Sequence, residues 1–331
     1  MTVQENISLR PYNTFGIDVH TRYWAEYASV DELKQLLVRF ADTPKFFIGQ
    51  GSNVLFTKDY EGVVLHSAMA RARAAKETAD EVYIEAQSGL RMDALIEQLC
   101  DMNLYGTENL SHIPGEVGAA VVQNVGAYGI EAKDVISEVQ ALEIATCTQH
   151  TFSNADCRFG YRDSIFKHEL AGKYVILSVT FRLSKKTVYH LDYGNLREML
   201  PTQPSASEIR QAVITIRQKK LPEVGQIGSA GSFFKNPIVT EEVYQTLIKQ
   251  NPSMPFYKQA NGIKIPAAWL IEQAACKGMT QGGAMVYANQ PLVIINHSNA
   301  TPDDVMSLAQ SIQKRVSDKF GIELQREVIY V

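Results

Sequence analysis

The order of elements around one pair of glycines constrains this chain more than any other feature. Ser29-Val30-Asp31-Glu32 forms a capping box, and Leu33, Leu36, Leu37 and Phe40 follow at helical spacing. A short apolar strand, Lys45-Phe46-Phe47-Ile48, leads into Gly49-Gln50-Gly51-Ser52-Asn53, and a second strand-like run, Val54-Leu55-Phe56, leads out of it. A dinucleotide fingerprint of the Rossmann kind needs a third glycine and a helix after the loop, and neither is present. Two readings remain: a plain tight turn, or a nest of backbone N–H groups that holds a pyrophosphate without a helix dipole.

Two further glycine-bearing stretches stand out. Ile113-Pro114-Gly115-Glu116-Val117-Gly118-Ala119-Ala120 and Gln123-Asn124-Val125-Gly126-Ala127-Tyr128-Gly129 read as a loop of small residues with almost no charge. Such a surface suits a flat, partly polar ring system, and equally suits tight packing or a buried turn. Gly228-Ser229-Ala230-Gly231-Ser232-Phe233-Phe234-Lys235-Asn236-Pro237 sets two hydroxyls, a cation and an amide beside two rings able to anchor them. Between two predicted strands, 139–146 and 174–183, lies a polar knot, Cys157-Arg158-Phe159-Gly160-Tyr161-Arg162-Asp163-Ser164. An arginine there offers a planar fork to a carboxylate, or makes a structural pair with Asp163.

The remaining pattern is that of an α+β chain. Glu81 to Ala86 alternates as a strand, and Met92, Leu95, Ile96 and Leu99 mark a helix. Ser205-Ala206-Ser207-Glu208 caps a helix bearing Ile209, Ala212, Val213 and Ile216, whose basic end, Arg217, Lys219 and Lys220, is explained by the helix dipole alone. Helices are predicted over 241–250 and 266–276, a strand over 292–295, and a long helix after Thr301-Pro302-Asp303-Asp304 with Val305, Leu308, Ala309, Ile312 and Val316 inward. The close, residues 324–331, reads as a strand in which Glu327 shares a face with Ile329 and Val331.

Composition excludes several classes. A chain of 331 residues, 45% hydrophobic and 21% charged, is an ordinary globular composition of two or three domains. Its formal net charge of −4 gives no general attraction to nucleic acid or an anionic membrane. Met1 to Pro11 carries no basic start with an apolar core, and no apolar run has membrane-spanning length, so a cytoplasmic protein is expected. The four cysteines and seven histidines show no metal-ligand spacing.

Taken in order, Gly49 to Asn53, Ile113-Pro114-Gly115, Gln123 to Gly129, Phe159 to Ser164 and Gly231 to Pro237 closely resemble the UDP-N-acetylenolpyruvoylglucosamine reductases, also called UDP-N-acetylmuramate dehydrogenases. The resemblance runs from Asn13-Thr14-Phe15-Gly16 to Glu327, and the region of Tyr193 resembles the longer subtype, which carries a substrate-covering tyrosine. It implies a two-part FAD-binding α+β module of the vanillyl-alcohol-oxidase kind, residues 1–67 and 68–220 joined by 322–331, plus a separate α/β substrate-binding domain, 221–321. It implies a non-covalent FAD, NADPH as co-substrate, UDP-N-acetylglucosamine enolpyruvate as substrate, and a monomer.

The same resemblance assigns residues. The proton donor aligns with Ser232, the catalytic arginine with Arg162 and the catalytic glutamate with Glu327. FAD contacts fall on Gly49, Gln50, Gly51, Ser52, Asn53, Pro114, Gly115, Gly118, Asn124, Gly126, Ala127, Tyr128 and Gly129. Substrate contacts fall on Tyr128, Tyr161, Arg162, Tyr193, Lys220, Ser232, Asn236, Lys277 and Gln290. Two other functions stay open at this point. One is an oxidase of small alcohols on the same flavin fold, with His112 near a flavin loop; the other is a nucleotide-sugar sensor without turnover.

Overall fold

The computed structural model of the chain describes residues 2–331 and divides them into two compact units. The first holds residues 2–7, Thr21–Gln50 and Glu61–Gln218; the second holds Ser8–His20, Gly51–Tyr60 and Lys219–Val331.

In the first unit, helix α1 (Val30–Arg39) begins where the capping box lies. Ser29 accepts the Glu32 N–H, and the Glu32 carboxylate accepts the N–H of Ala28, one residue earlier than a reciprocal box requires. Its apolar face, Leu33, Leu36, Leu37 and Phe40, is buried with Ala25, Val63 and Leu65 against a four-stranded sheet ordered Val3–Ser8, His20–Tyr27, Tyr60–Ser67, Lys45–Ile48. The last two strands run parallel, with Ile48 beside His66.

A second core in this unit lies on an antiparallel five-stranded sheet ordered Gln149–Ser153, Ile136–Glu143, Tyr174–Ser184, Glu81–Gln87, Ala72–Glu77. Helix α2 (Met92–Asp101) and helix α3 (Val117–Gln123) pack here, with Leu95, Ile96, Leu99, Val117 and Val121 among Val139, Val179 and Phe181. Helix α3 corrects the sequence reading, which made the whole glycine-rich region a loop. Helix α4 (Ala206–Lys220) starts at a reciprocal Ser205–Glu208 box and buries Ile209, Ala212, Val213 and Ile216 as expected.

The second unit pairs Gly228–Ser232, Val293–Asn296, Ala284–Val286 and Thr280–Gln281 in one antiparallel sheet. Helices α5 (Glu241–Gln250), α6 (Ala267–Gln273) and α7 (Pro302–Phe320) accompany it, and α7 buries the five residues its pattern marked. The closing strand is shorter than expected: Ile329–Tyr330 pairs parallel to Val54–Leu55, and Arg326 before it makes an isolated antiparallel bridge to Phe234. Val328 is buried and Ile329 is 39% exposed, so Glu327 shares the outer face rather than an apolar one. Among the described residues, no helix is long and apolar enough to cross a membrane, and no cluster of His, Cys, Asp and Glu is arranged to hold a metal ion.

The α7 box is complete: Thr301 accepts the Asp304 N–H at 3.2 Å and Asp304 accepts the Thr301 N–H at 2.9 Å. Thr301→Ala is expected to destabilise the second unit by about 1 kcal/mol. Urea unfolding checks this: the midpoint should fall without a change in slope.

Candidate active site

In the second unit, Ser232 closes its strand opposite Val293 after a slip in register between Ser229 and Ser232. Gly231 makes the slip with φ +70°, a conformation that costs an L-residue roughly 1–2 kcal/mol. A bulge of this kind re-aims the side chain that follows it. Phe233 and Phe234 are both fully buried, their rings 5.3 Å apart, and they fix the segment as expected.

Glu327 arrives alongside. Its N–H donates to the Phe233 carbonyl at 2.9 Å, the Lys235 N–H donates to Gln325 at 2.8 Å, and Phe234 bridges Arg326. The hydroxyl of Ser232 and the carboxyl of Glu327 therefore sit on adjacent antiparallel segments. Asn53 braces the arrangement: its amide donates to the Glu327 carbonyl at 3.3 Å and its own carbonyl accepts the Ile329 N–H at 3.0 Å. Gly51 is required by closeness, since a Cβ there would stand 2.2 Å from the Tyr12 carbonyl oxygen. Ser52 is half-buried in the same loop.

Other expected substrate residues scatter in their surroundings. Asn236 accepts the Ala267 N–H at the head of α6 at 2.8 Å. Lys277 pairs with Glu272 at 3.1 Å at the surface, Gln290 turns the chain into strand Val293–Asn296, and Lys220 is exposed at the end of α4.

In the first unit, Arg162 occupies a turn closed by two backbone hydrogen bonds between Gly160 and Asp163. Its φ of +55° is unusual for a non-glycine residue and persists because that ladder enforces it. Its guanidinium donates to the Gly126 carbonyl at 2.8 Å and lies 5.3 Å from the Tyr161 ring centre. Within this knot Arg158 meets Glu169 at 2.9 Å, and Asp163 meets His168 at 2.7 Å.

Gly126, Ala127 and Tyr128 are half-buried and Gly129 is exposed. Tyr128 stands edge-on to Tyr193, centroids 5.8 Å apart, and the Asn109 amide holds the carbonyls of Tyr128 and His190 together. Burial raises the Tyr128 hydroxyl pKa, and Arg217 opposes that rise. Asn124 is another of the expected cofactor residues. It is fully enclosed, and its amide hydrogens go to Glu131 and Gly160, so it shapes the loop. Gly118 likewise packs α3 on Ser88, with a Cβ there 2.9 Å from the Ser88 Cβ. Pro114 and Gly115 are half-buried, and Gln50 accepts the Gly115 N–H at 2.7 Å beside Gly49.

Sequence reasoning missed Arg217, which it grouped with the helix-end lysines. Its Nε donates to the His112 carbonyl at 3.1 Å; His112 donates its N–H to Asp93 at 2.6 Å, and Asp93 is gripped by Arg210. Burial lowers the Arg217 pKa, and Arg162 lowers it further. The available signal was the i, i+4 step from buried Val213, which puts Arg217 on the inner face of α4.

These residues fit an FAD: a small-residue surface for a flat ring, partly buried guanidiniums for an anionic edge, and a braced Gly49–Gln50 backbone.

Comparison with known proteins agrees. Residues 22–153 match the family described as FAD binding domain, and residues 222–331 match the C-terminal domain of UDP-N-acetylenolpyruvoylglucosamine reductase. The chain is thus built as an FAD-dependent oxidoreductase, a flavin-binding module followed by a dedicated C-terminal domain. It is 41% identical to the UDP-N-acetylenolpyruvoylglucosamine reductase of Chromobacterium violaceum over 99% of both chains. It is 43% identical to that of Bacteroides fragilis, over 99% of this chain and 100% of the relative. A crystal structure of the Thermus caldophilus reductase shares the fold at a TM-score of 0.71 and 23% identity, covering 100% of this chain and 99% of the other. The chain belongs to the UDP-N-acetylenolpyruvoylglucosamine reductase family.

The Arg210–Asp93 pair holds the backbone on which Arg217 rests. Burial works against the Asp93 carboxylate, but the hydrogen bonds from Arg210 and His112 prevail and lower its pKa. The pair's stabilisation is complete above the ordinary carboxylate value of about 4 and is lost as pH falls through the lowered folded value. Asp93→Asn should cost about 2 kcal/mol at neutral pH. Melting curves across pH check the sign: the gap between wild type and variant should close in acid, not in base.

Proposed function

We propose the following division of labour for the reductase reaction of this family. The chain is an FAD-dependent oxidoreductase of peptidoglycan precursor synthesis, reducing UDP-N-acetylglucosamine enolpyruvate to UDP-N-acetylmuramate with electrons from NADPH. Bound FAD would supply the hydride chemistry that links NADPH to the terminal carbon of the enolpyruvyl double bond.

The residues of the chain do the rest. Ser232 gives the proton to the neighbouring carbon as negative charge grows there. Arg162 holds the substrate carboxylate, into which that charge spreads, and Glu327 acts with it at the same developing charge. Gly49 to Asn53 hold the pyrophosphate, and Pro114, Gly115 and the Gly126 to Gly129 loop line the flavin. Tyr193 covers the substrate, as in the longer subtype, while Tyr128, Tyr161, Lys220, Asn236, Lys277 and Gln290 contact it. The protein acts as a cytoplasmic monomer.

The observation that carries this reading is the backbone pairing that runs the segment of Glu327 alongside the one that follows Ser232, whose strand carries a bulge. The Arg162 turn, strained yet enforced, supports a role for that guanidinium. The full-length match to relatives named as reductases leaves the alcohol-oxidase and sensor readings without an observation of their own.

Stopped-flow half-reactions test it. In Ser232→Ala, flavin reduction by NADPH should stay near wild type, while reoxidation by enolpyruvyl substrate should slow by roughly 10²–10⁴-fold. Equal loss in both halves would make Ser232 structural. Arg162→Lys keeps the charge and loses the fork. Reoxidation should then slow by on the order of 10²-fold, and unchanged turnover would remove Arg162 from the mechanism.

A further inference from the structure

His66 is enclosed at both ring nitrogens. Its Nδ1 meets Glu26 Oε1 and its Nε2 meets Glu116 Oε1, each at 2.9 Å, and the ring stacks on Trp24 with centroids 5.9 Å apart. Glu26 and Trp24 come from strand His20–Tyr27, His66 from Tyr60–Ser67, and Glu116 from the residue before α3. A neutral imidazole has one N–H; only the imidazolium donates to both carboxylates at once. Burial opposes that charge, but the hydrogen bonds and charges of Glu116 and Glu26 prevail and raise the His66 pKa.

Glu116 is the unusual partner. Its side chain is only 7% exposed, whereas that of Glu26 is 53% exposed. Its second oxygen, Oε2, lies 3.1 Å from where a Cβ on Gly49 would stand. Gly49 and Gln50 open the loop assigned above to the cofactor pyrophosphate, and Gln50 is bonded to Gly115, the neighbour of Glu116. A buried carboxylate thus backs a loop meant for a dianion. Unneutralised, it would repel that ligand across a poorly screened interior.

We propose that His66 is a positioning residue for the cofactor: as the imidazolium it neutralises Glu116 behind the Gly49–Gln50 backbone and couples affinity for the flavin dinucleotide to one proton. The proposal rests on the assignment of that loop to the pyrophosphate. Linkage fixes its sign. The bound dianion favours the charged ring, so binding takes up a proton. Affinity is highest below the raised His66 pKa and falls as pH rises through it, upward from the ordinary histidine value of about 6.5. Tyr27 also faces Glu116, but burial raises its hydroxyl pKa far above this range and it stays neutral throughout.

The test uses the holoenzyme, diluted between about pH 6 and about pH 9, with released flavin read by its fluorescence. Wild type should lose about tenfold or more in affinity across that range, tenfold per pH unit being the limit for one linked proton. Glu116→Gln should bind with a flat profile and remain tight at high pH. His66→Gln should bind weakly at every pH. The double variant His66→Gln/Glu116→Gln, which replaces the ion pair with two neutral amides, should recover the affinity. A purely structural role for His66 predicts no such recovery. A flat wild-type profile, or an unchanged slope in Glu116→Gln, overturns the proposal. Purified protein without flavin at any pH would instead overturn the cofactor assignment beneath it.

Discussion

The backbone ladder between Phe233–Lys235 and Gln325–Glu327 is the contact that ties the end of the chain into the second unit. It joins two segments with no local relationship in sequence and brings the backbone of Glu327 against that of Phe233. Magnitudes show what holds it. A backbone hydrogen bond contributes about 1 kcal/mol net, whereas burying a phenylalanine contributes roughly 1.5–3 kcal/mol. Phe233 and Phe234 are both fully enclosed, so ring burial sets the register and the hydrogen bonds orient within it. The bulge at Gly231 then turns Ser232 without disturbing either ring.

The helices were legible because their apolar faces repeat at helical spacing and three of them carry a capping residue followed by a carboxylate. Ser29, Ser205 and Thr301 all cap as their sequences indicate. Helix α3 was hidden by its composition. Gly118, Ala119 and Ala120 give no amphipathic contrast, because the helix lies so close to Ser88 that small side chains are required. The end of the chain misled for another reason: alternation marked an extended segment, but burial of Val328 selects the opposite face from the one Glu327 occupies.

Site residues were legible to the extent that they lie in short motifs. Ser232, Arg162 and the Gly49 to Asn53 loop are expected site residues through resemblance alone, and each lies in a turn, bulge or loop with its own local constraint. Asn124 and Arg217 show where motif reading stops. The first lies inside a motif yet spends its hydrogen bonds on Glu131 and Gly160; the second lies outside every motif yet reaches the His112 carbonyl. Neither fact has a signature in spacing, because each depends on contacts between distant segments.

The charged groups of the first unit divide by what they bond. Arg210 faces Asp93 and Arg158 faces Glu169, so their charges are largely neutralised by a carboxylate. Arg217 donates to the carbonyl of His112, which orients its guanidinium without cancelling its charge. Burial already disfavours the charged form of Arg217, and the proximity of Arg162 adds like-charge repulsion. The protein as a whole carries a net charge of −4, so attraction for an anion must arise from such a local arrangement rather than from the overall field. At Glu116 the arrangement is the converse, a buried carboxylate met by the His66 ring at 2.9 Å.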